Sequence, residues 1–156
     1  MTPIPFIMIG GLLAILIWST KQAHDRAKFQ LDQFYERCKD QILAEKKSVA
    51  CSTYTVGLKN SRYLFRRCDL IFLEKGLVIL PFYRIGKYKV MDYPMSISDN
   101  SLTAIGALKK FDLNSDSGNV FFEFGEAGFT TTCVGITLKG LTPEEKELIK
   151  VLTFQK

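Results

Sequence analysis

The chain has 156 residues, a formal net charge of +5 and 47% hydrophobic residues. Its cysteines, Cys38, Cys51, Cys68 and Cys133, form no C-x-x-C pair, and the single histidine, His24, lies far from them, which excludes zinc-site spacing. The charge is unevenly spread. Residues 59–89 hold eight Lys/Arg against Asp69 and Glu74, a balance of +6, whereas residues 90–156 hold six basic and nine acidic side chains, a balance of −3.

Residues 1–20 carry no charged side chain. The stretch 3–18 reads PIPFIMIGGLLAILIW, and ten of the side chains from Ile4 to Ile17 are Ile, Leu, Phe or Met. A helix over 3–20 would be about 27 Å long, against a hydrocarbon core of roughly 30 Å. A cleavable leader would need a basic n-region and a small-x-small cleavage site, and neither is well formed here. An interfacial helix would need a polar face, and none is present. Residues 1–20 are therefore expected to be an uncleaved transmembrane anchor. Lys21, Arg26 and Lys28 follow the span and no basic side chain precedes it. The positive-inside rule then puts the N-terminus outside and the C-terminal domain in the cytoplasm. Gly10 and Ala14 form a small-xxx-small pair that would let two spans approach closely.

Residues 21–48 are rich in helix formers with alternating charge. Ala27, Leu31, Phe34, Cys38 and Ile42 recur at spacings of three and four, an apolar stripe on a juxtamembrane helix. That stripe must be buried against the chain's own domain or against a second copy.

From residue 49 the texture becomes β. Residues 49–56 (VACSTYTV) are β-branched and aromatic. Residues 63–73 (YLFRRCDLIFL) and 77–83 (LVILPFY) flank a turn at Glu74-Lys75-Gly76. Pro81 marks an edge or a bulge. Short strands are expected at 87–90, 95–98 and 108–113, with 91–106 irregular. The turn NSDSGN (114–119) then leads to strands over 120–124 and 129–138. Thr142-Pro143-Glu144-Glu145 is a capping box, and Leu148, Ile149 and Leu152 give the following helix an apolar face. The expected architecture is α+β: a transmembrane helix (1–20), a juxtamembrane helix (21–48), and a seven-stranded antiparallel β domain with a C-terminal helix (49–156).

The order of seven strands and one closing helix resembles the pleckstrin-homology-like superfold, including GRAM-type domains. The resemblance rests on RYLFRRCDLIFLEKGLVILPF and FTTTCVGITLKGLTPEEKELIKVL and covers about residues 49–154. It implies a bent sheet sandwich or barrel plugged by the last helix. A lipocalin-like barrel is the rival. In family members that bind phosphoinositides, basic residues of the first loop and second strand grip phosphates. Here Lys59, Arg62, Arg66 and Arg67 occupy that stretch, with Arg84, Lys87 and Lys89 further along. Arg66 and Arg67 are adjacent, so a regular strand would send them to opposite faces. The competing assignment is a solvated strand face.

No phosphate-binding loop, dinucleotide fingerprint or nucleophile elbow is present. His24 sits on the helical stem, away from any nucleophile, and Glu144-Glu145 is explained by the helix N-terminus. The expected function is a membrane-anchored cytoplasmic binding or scaffolding module, not an enzyme, with neither cofactor nor metal. Its expected partners are the lipid bilayer, anionic lipid headgroups, and a protein or second copy through Gly10, Ala14 and the stripe; no nucleic acid is expected. Two alternatives stand beside it: a subunit of a larger membrane complex, and an exported β-barrel ligand binder should residues 1–20 be cleaved.

Overall fold

The computed structural model describes residues 4–56, 64–91, 94–97, 107–114, 118–125 and 133–154. Helix α1 runs unbroken over Ile4–Cys38, and a 3-10 turn at Lys39–Gln41 redirects the chain. Strands follow at β1 (Ile42–Val56), β2 (Arg67–Leu73), β3 (Gly76–Ile85), β4 (Tyr88–Met91), β5 (Met95–Ser96), β6 (Leu108–Asn114), β7 (Asn119–Phe124) and β8 (Cys133–Lys139). Helix α2 spans Pro143–Phe154. All the strands join one antiparallel sheet in the order β4-β3-β2-β1-β8-β7-β6, with β5 paired to β3.

Several expectations are corrected. Among the described residues, no helix is long and apolar enough to cross a membrane. The uncharged part of α1, from Ile4 to Thr20, has 17 residues by the sequence, short of the about 20 that a span requires. The transmembrane anchor, the single-pass topology and the membrane placement drawn from it do not stand. The stem is not a second helix either, because α1 continues through it to Cys38. Residues 42–48, expected to be helical, are strand: Ile42 faces Leu73, Ala44 faces Phe72 and Lys46 faces Leu70. Among the described residues the β domain contains eight strands, not seven.

β1 is the pivot of the sheet. Its first part pairs with β2 and its last part with β8, and Ala50 has a partner on each side, Arg67 and Lys139. The register shifts between Lys46 and Val49, where Ser48 adopts φ +61°. That conformation is uncommon for a non-glycine residue, and the irregularity bends the strand.

Two cores explain the burial pattern. The inner core gathers Leu70, Phe72, Leu77 and Ile79 with Phe122, Phe124, Ile136, Leu138 and, from α2, Ile149 and Leu152. The outer core sets Phe34 and Cys38 of α1 on Ile71, Leu73, Val78 and Leu80, with Leu31, Tyr35 and Ile42 packed against them. β2 and β3 are thus covered on both faces, which is why their sequences read as nearly unbroken apolar runs. β7 alternates half-buried and buried because only its inner face is packed. The expected stripe on the stem is spent on the chain's own sheet, at about 1.5–3 kcal/mol for each fully buried large side chain. Beyond it, Leu12, Leu13, Ile15, Leu16, Ile17 and Trp18 remain exposed.

The capping box forms as expected. Thr142 N–H donates to Glu145 Oε2 at 2.7 Å, and Glu145 N–H donates to Thr142 Oγ1 at 3.3 Å. Lys46 of β1 pairs with the same Glu145 at 2.5 Å and ties the helix start to the sheet.

Candidate functional site

A groove opens where β2 and β3 part. Their last cross-strand pair is Arg67 opposite Phe82. Before it, residues 64–66 leave β3 and follow β1: Cys51 N–H donates to the Arg66 carbonyl at 2.9 Å, and Phe65 N–H donates to Thr53 Oγ1 at 2.8 Å. Phe65, 4% exposed, anchors this lead-in in the inner core. After it, β3 turns to β4, where Tyr83 faces Val90 and Arg84 faces Lys89. The space between the diverging segments is a groove of about 400 Å³ lined by Leu64, Arg66, Arg67, Phe82, Tyr83 and Arg84.

Pro81 lies beside this divergence. The outer side of β3 pairs with β5 at Val78 and Ile79 and with β4 from Phe82 onward. Among the described residues Leu80 and Pro81 have no partner on that side, so the missing proline N–H breaks no ladder bond.

Three of the basic candidates, Arg66, Arg67 and Arg84, line this one groove. Adjacent Arg66 and Arg67 share it because Arg66 stands in a bend ahead of β2, outside the strand's alternation. Arg67 is oriented by Ser48, donating to its Oγ at 2.8 Å. The Arg84 guanidinium lies 5.9 Å from the Phe82 ring centroid. Among the described residues neither Arg66 nor Arg84 forms an ion pair.

The remaining candidates divide. Lys59 and Arg62 fall outside the described residues. Lys89 is spent on the buried Asp69 carboxylate and sits 4.1 Å from the Phe82 ring centroid. Lys87 stacks over Tyr88 at 5.6 Å, next to the groove rather than in it. The apolar walls, Leu64, Phe82 and Tyr83, were not singled out from the sequence as a site. The run Pro81-Phe82-Tyr83-Arg84, two aromatics beside an arginine, is the signal that could have found two of them.

A polar network supports the floor. Asp69 Oδ1 accepts from Ser48 N–H at 2.8 Å while its other oxygen takes Lys89. Ser48 is thereby held in its left-handed conformation, with its hydroxyl toward Arg67. His24 of α1 is half-buried, and its Nδ1 donates to the Lys89 carbonyl at 2.5 Å. The His24 and Tyr88 rings lie 5.7 Å apart. Next to the network, burial pushes the Tyr35 phenol well above its ordinary value, with Glu45 and Asp69 adding to the shift.

The groove can hold an anion and shelter an apolar group beside it. Guanidinium forks match phosphate and carboxylate oxygens, and exposed Leu64 and Tyr83 offer apolar surface. Among the described residues no group of His, Cys, Asp or Glu is arranged to hold a metal ion. No family model, no curated protein and no solved structure matches this chain.

Proposed function

We propose that this protein is a binding module that takes a phosphate-bearing ligand with an apolar portion in the groove between residues 64–67 and 82–84. The observation that carries this reading is the convergence of Arg66, Arg67 and Arg84 on one concave surface with Leu64, Phe82 and Tyr83. A helix packed into the inner core and a strand order that returns to β1 support the pleckstrin-homology-like resemblance. In that family, basic residues near the second strand hold phosphates. The phosphate is that of a lipid headgroup or of a soluble phosphate ester, and the test separates the two.

Isothermal titration of the full chain with a short-chain alkyl phosphate should give saturable binding that weakens with salt. Arg66→Gln and Arg84→Gln should each weaken it about tenfold, the worth of one charge-assisted contact. Flotation with phosphatidylcholine vesicles, with and without an anionic phospholipid, reads the lipid source. Binding by neither probe, or equal binding by the Arg variants, would overturn the reading.

A second reading, a subunit of a larger assembly, is supported by the exposed Leu12, Leu13, Leu16 and Trp18 of α1. Cross-linking of the full chain in its native setting that recovered only monomer would count against it.

A further inference from the structure

Among the described residues, Ser48 is the only one other than glycine with a positive φ, +61°. Gly86, Gly118 and Gly140 make the other such bends. Glycine takes this conformation without strain, because it has no β-carbon. A serine there keeps a strained backbone, and such strain persists only where the surroundings fix it. What serine adds to the bend is a hydroxyl, and that hydroxyl accepts from Arg67 Nη1 at 2.8 Å. Arg67 and Asp69 stand two residues apart on β2, so their side chains leave the same face. Ser48 lies in the register shift between Lys46 and Val49 and bonds to both, its N–H donating to Asp69 Oδ1 at 2.8 Å. The other Asp69 oxygen takes Lys89. With both its oxygens engaged, that carboxylate leaves Arg67 to the groove.

We propose that Ser48 is the positioning residue of the groove, holding the Arg67 guanidinium so that its Nε–Nη2 edge takes two oxygens of the ligand phosphate. The proposal rests on the phosphate reading of the groove. A guanidinium carries five N–H donors in a planar fork. Two of them are on Nη1, the nitrogen bound to the Ser48 hydroxyl and 3.5 Å from the Ser48 carbonyl. Among the described residues, Nε and Nη2 of Arg67 have no hydrogen-bond partner. The N–H groups along that edge run parallel, and two oxygens of one phosphate match their spacing.

The three arginines then divide the work. An exposed arginine that closes on a ligand loses side-chain freedom, and that loss weakens binding. Arg67 has given up part of this freedom on folding, through its bond to Ser48. Among the described residues, neither Arg66 nor Arg84 forms an ion pair. Arg67 therefore sets where the phosphate sits, and Arg66 and Arg84 close on it.

Three substitutions isolate this role. Ser48→Gly keeps the left-handed backbone and removes the hydroxyl. Ser48→Asn keeps a side-chain acceptor on a residue that tolerates the same conformation. Arg67→Lys keeps the positive charge and removes the fork. Urea midpoints show that each variant is folded.

The test uses the full chain, with nitrogen-15 relaxation of the arginine Nε–H groups and isothermal titration with a short-chain alkyl phosphate. Without ligand, the Arg67 Nε–H should be more ordered than those of Arg66 and Arg84. Ser48→Gly should remove that difference, and Ser48→Asn should keep it. In the titration, Ser48→Gly and Arg67→Lys should each weaken binding about tenfold, the worth of one charge-assisted contact. The two together should bind no more weakly than Arg67→Lys alone, because a lysine has no fork for Ser48 to aim. Losses that add in the double variant, or an Arg67 Nε–H as mobile as its neighbours in the unmodified chain, would overturn the proposal. Failure of the unmodified chain to bind the probe refutes the phosphate reading, and the contact proposed for Arg67 falls with it. Binding that is unchanged in Ser48→Gly overturns the positioning role alone.

Discussion

Replacing Lys89 with Met should destabilise the chain more than replacing Asp69 with Asn, although the two side chains are partners. The ends of the pair differ in access to water: the Asp69 side chain is 9% exposed and that of Lys89 28%. Breaking a buried pair costs about 3–5 kcal/mol, mainly because the surviving charge is stranded. In Asp69→Asn the survivor is Lys89, which reaches solvent and keeps the Phe82 ring beneath it. The new amide oxygen still accepts from Ser48 N–H, so the loss should be about 1–2 kcal/mol. In Lys89→Met the survivor is a carboxylate left with the Ser48 N–H at 2.8 Å. That loss should be about 3 kcal/mol, the low end of the buried range because Lys89 is partly solvated. The gap of about 1–2 kcal/mol corresponds to roughly 2–8 °C in Tm for a chain of this size. Urea unfolding followed by far-UV circular dichroism measures both, with the slope m unchanged if only stability moves. The double variant Asp69→Leu/Lys89→Met should recover much of the Lys89→Met loss, since no charge is stranded. Equal losses, or a larger one for Asp69→Asn, would refute the argument that unequal burial sets the cost.

Phe122 is fully buried, with the Phe111 and Phe124 rings 5.3 and 6.2 Å away. Phe122→Ala should cost about 3–5 kcal/mol in the same urea assay. Thr142→Ala removes one half of the capping box and should cost about 1 kcal/mol, while Thr142→Ser should be near neutral. A β-carbon on Gly135 would stand 2.1 Å from the Tyr54 ring, so Gly135→Ala must swing that ring outward. Its stacking on Phe121 and its bond to Glu123 at 2.9 Å would both be lost. The Tyr54 phenol is held above its ordinary pKa, first by burial and then by Glu123. Its titration should therefore move to lower pH in Gly135→Ala, and by less in Glu123→Gln, as read by NMR. An unmoved titration in both would remove burial and Glu123 as the causes.

The parts of the fold legible in the sequence are those where a local signal and the tertiary contacts agree. The turn at Glu74-Lys75-Gly76 and the capping box at Thr142 are local chemistry, and both form. The stem stripe of Leu31, Phe34 and Cys38 predicted burial correctly, because periodicity reports a buried face without naming its partner. Residues 42–48 were misread because Ala44, Glu45, Lys46 and Lys47 are good helix formers in isolation. Pairing with β2 overrides that preference, as Ile42 opposite Leu73 and Lys46 opposite Leu70 show. The uncharged N-terminal run was read as a membrane span by its composition. Hydropathy does not register that the same helix continues into a segment docked on the sheet.

The candidate site was half legible for a similar reason. Basic residues between 59 and 89 are visible as a cluster. Which of them converge depends on a bend at Arg66 and on the parting of β2 from β3 after Phe82. Neither leaves a periodic trace. Lys89 looks equivalent to Arg84 in the sequence, yet a buried Asp69 twenty residues earlier claims it. The pairing crosses β3 diagonally: Asp69 lies opposite Leu80 and Lys89 opposite Arg84, and the lysine reaches over the Phe82 ring between them.

The proposed ligand site requires Arg66, Arg67 and Arg84 to act together on one phosphate-bearing ligand. NMR titration of the full chain with a short-chain alkyl phosphate, following arginine side-chain N–H signals and backbone amides, tests it most directly. Saturable shifts are expected at Arg66, Arg67 and Arg84 and along residues 64–67 and 82–85, all fitting one binding curve and shrinking with added salt. Shifts centred on Lys109 and Lys110, or shifts at the three arginines that fit separate curves, would contradict it.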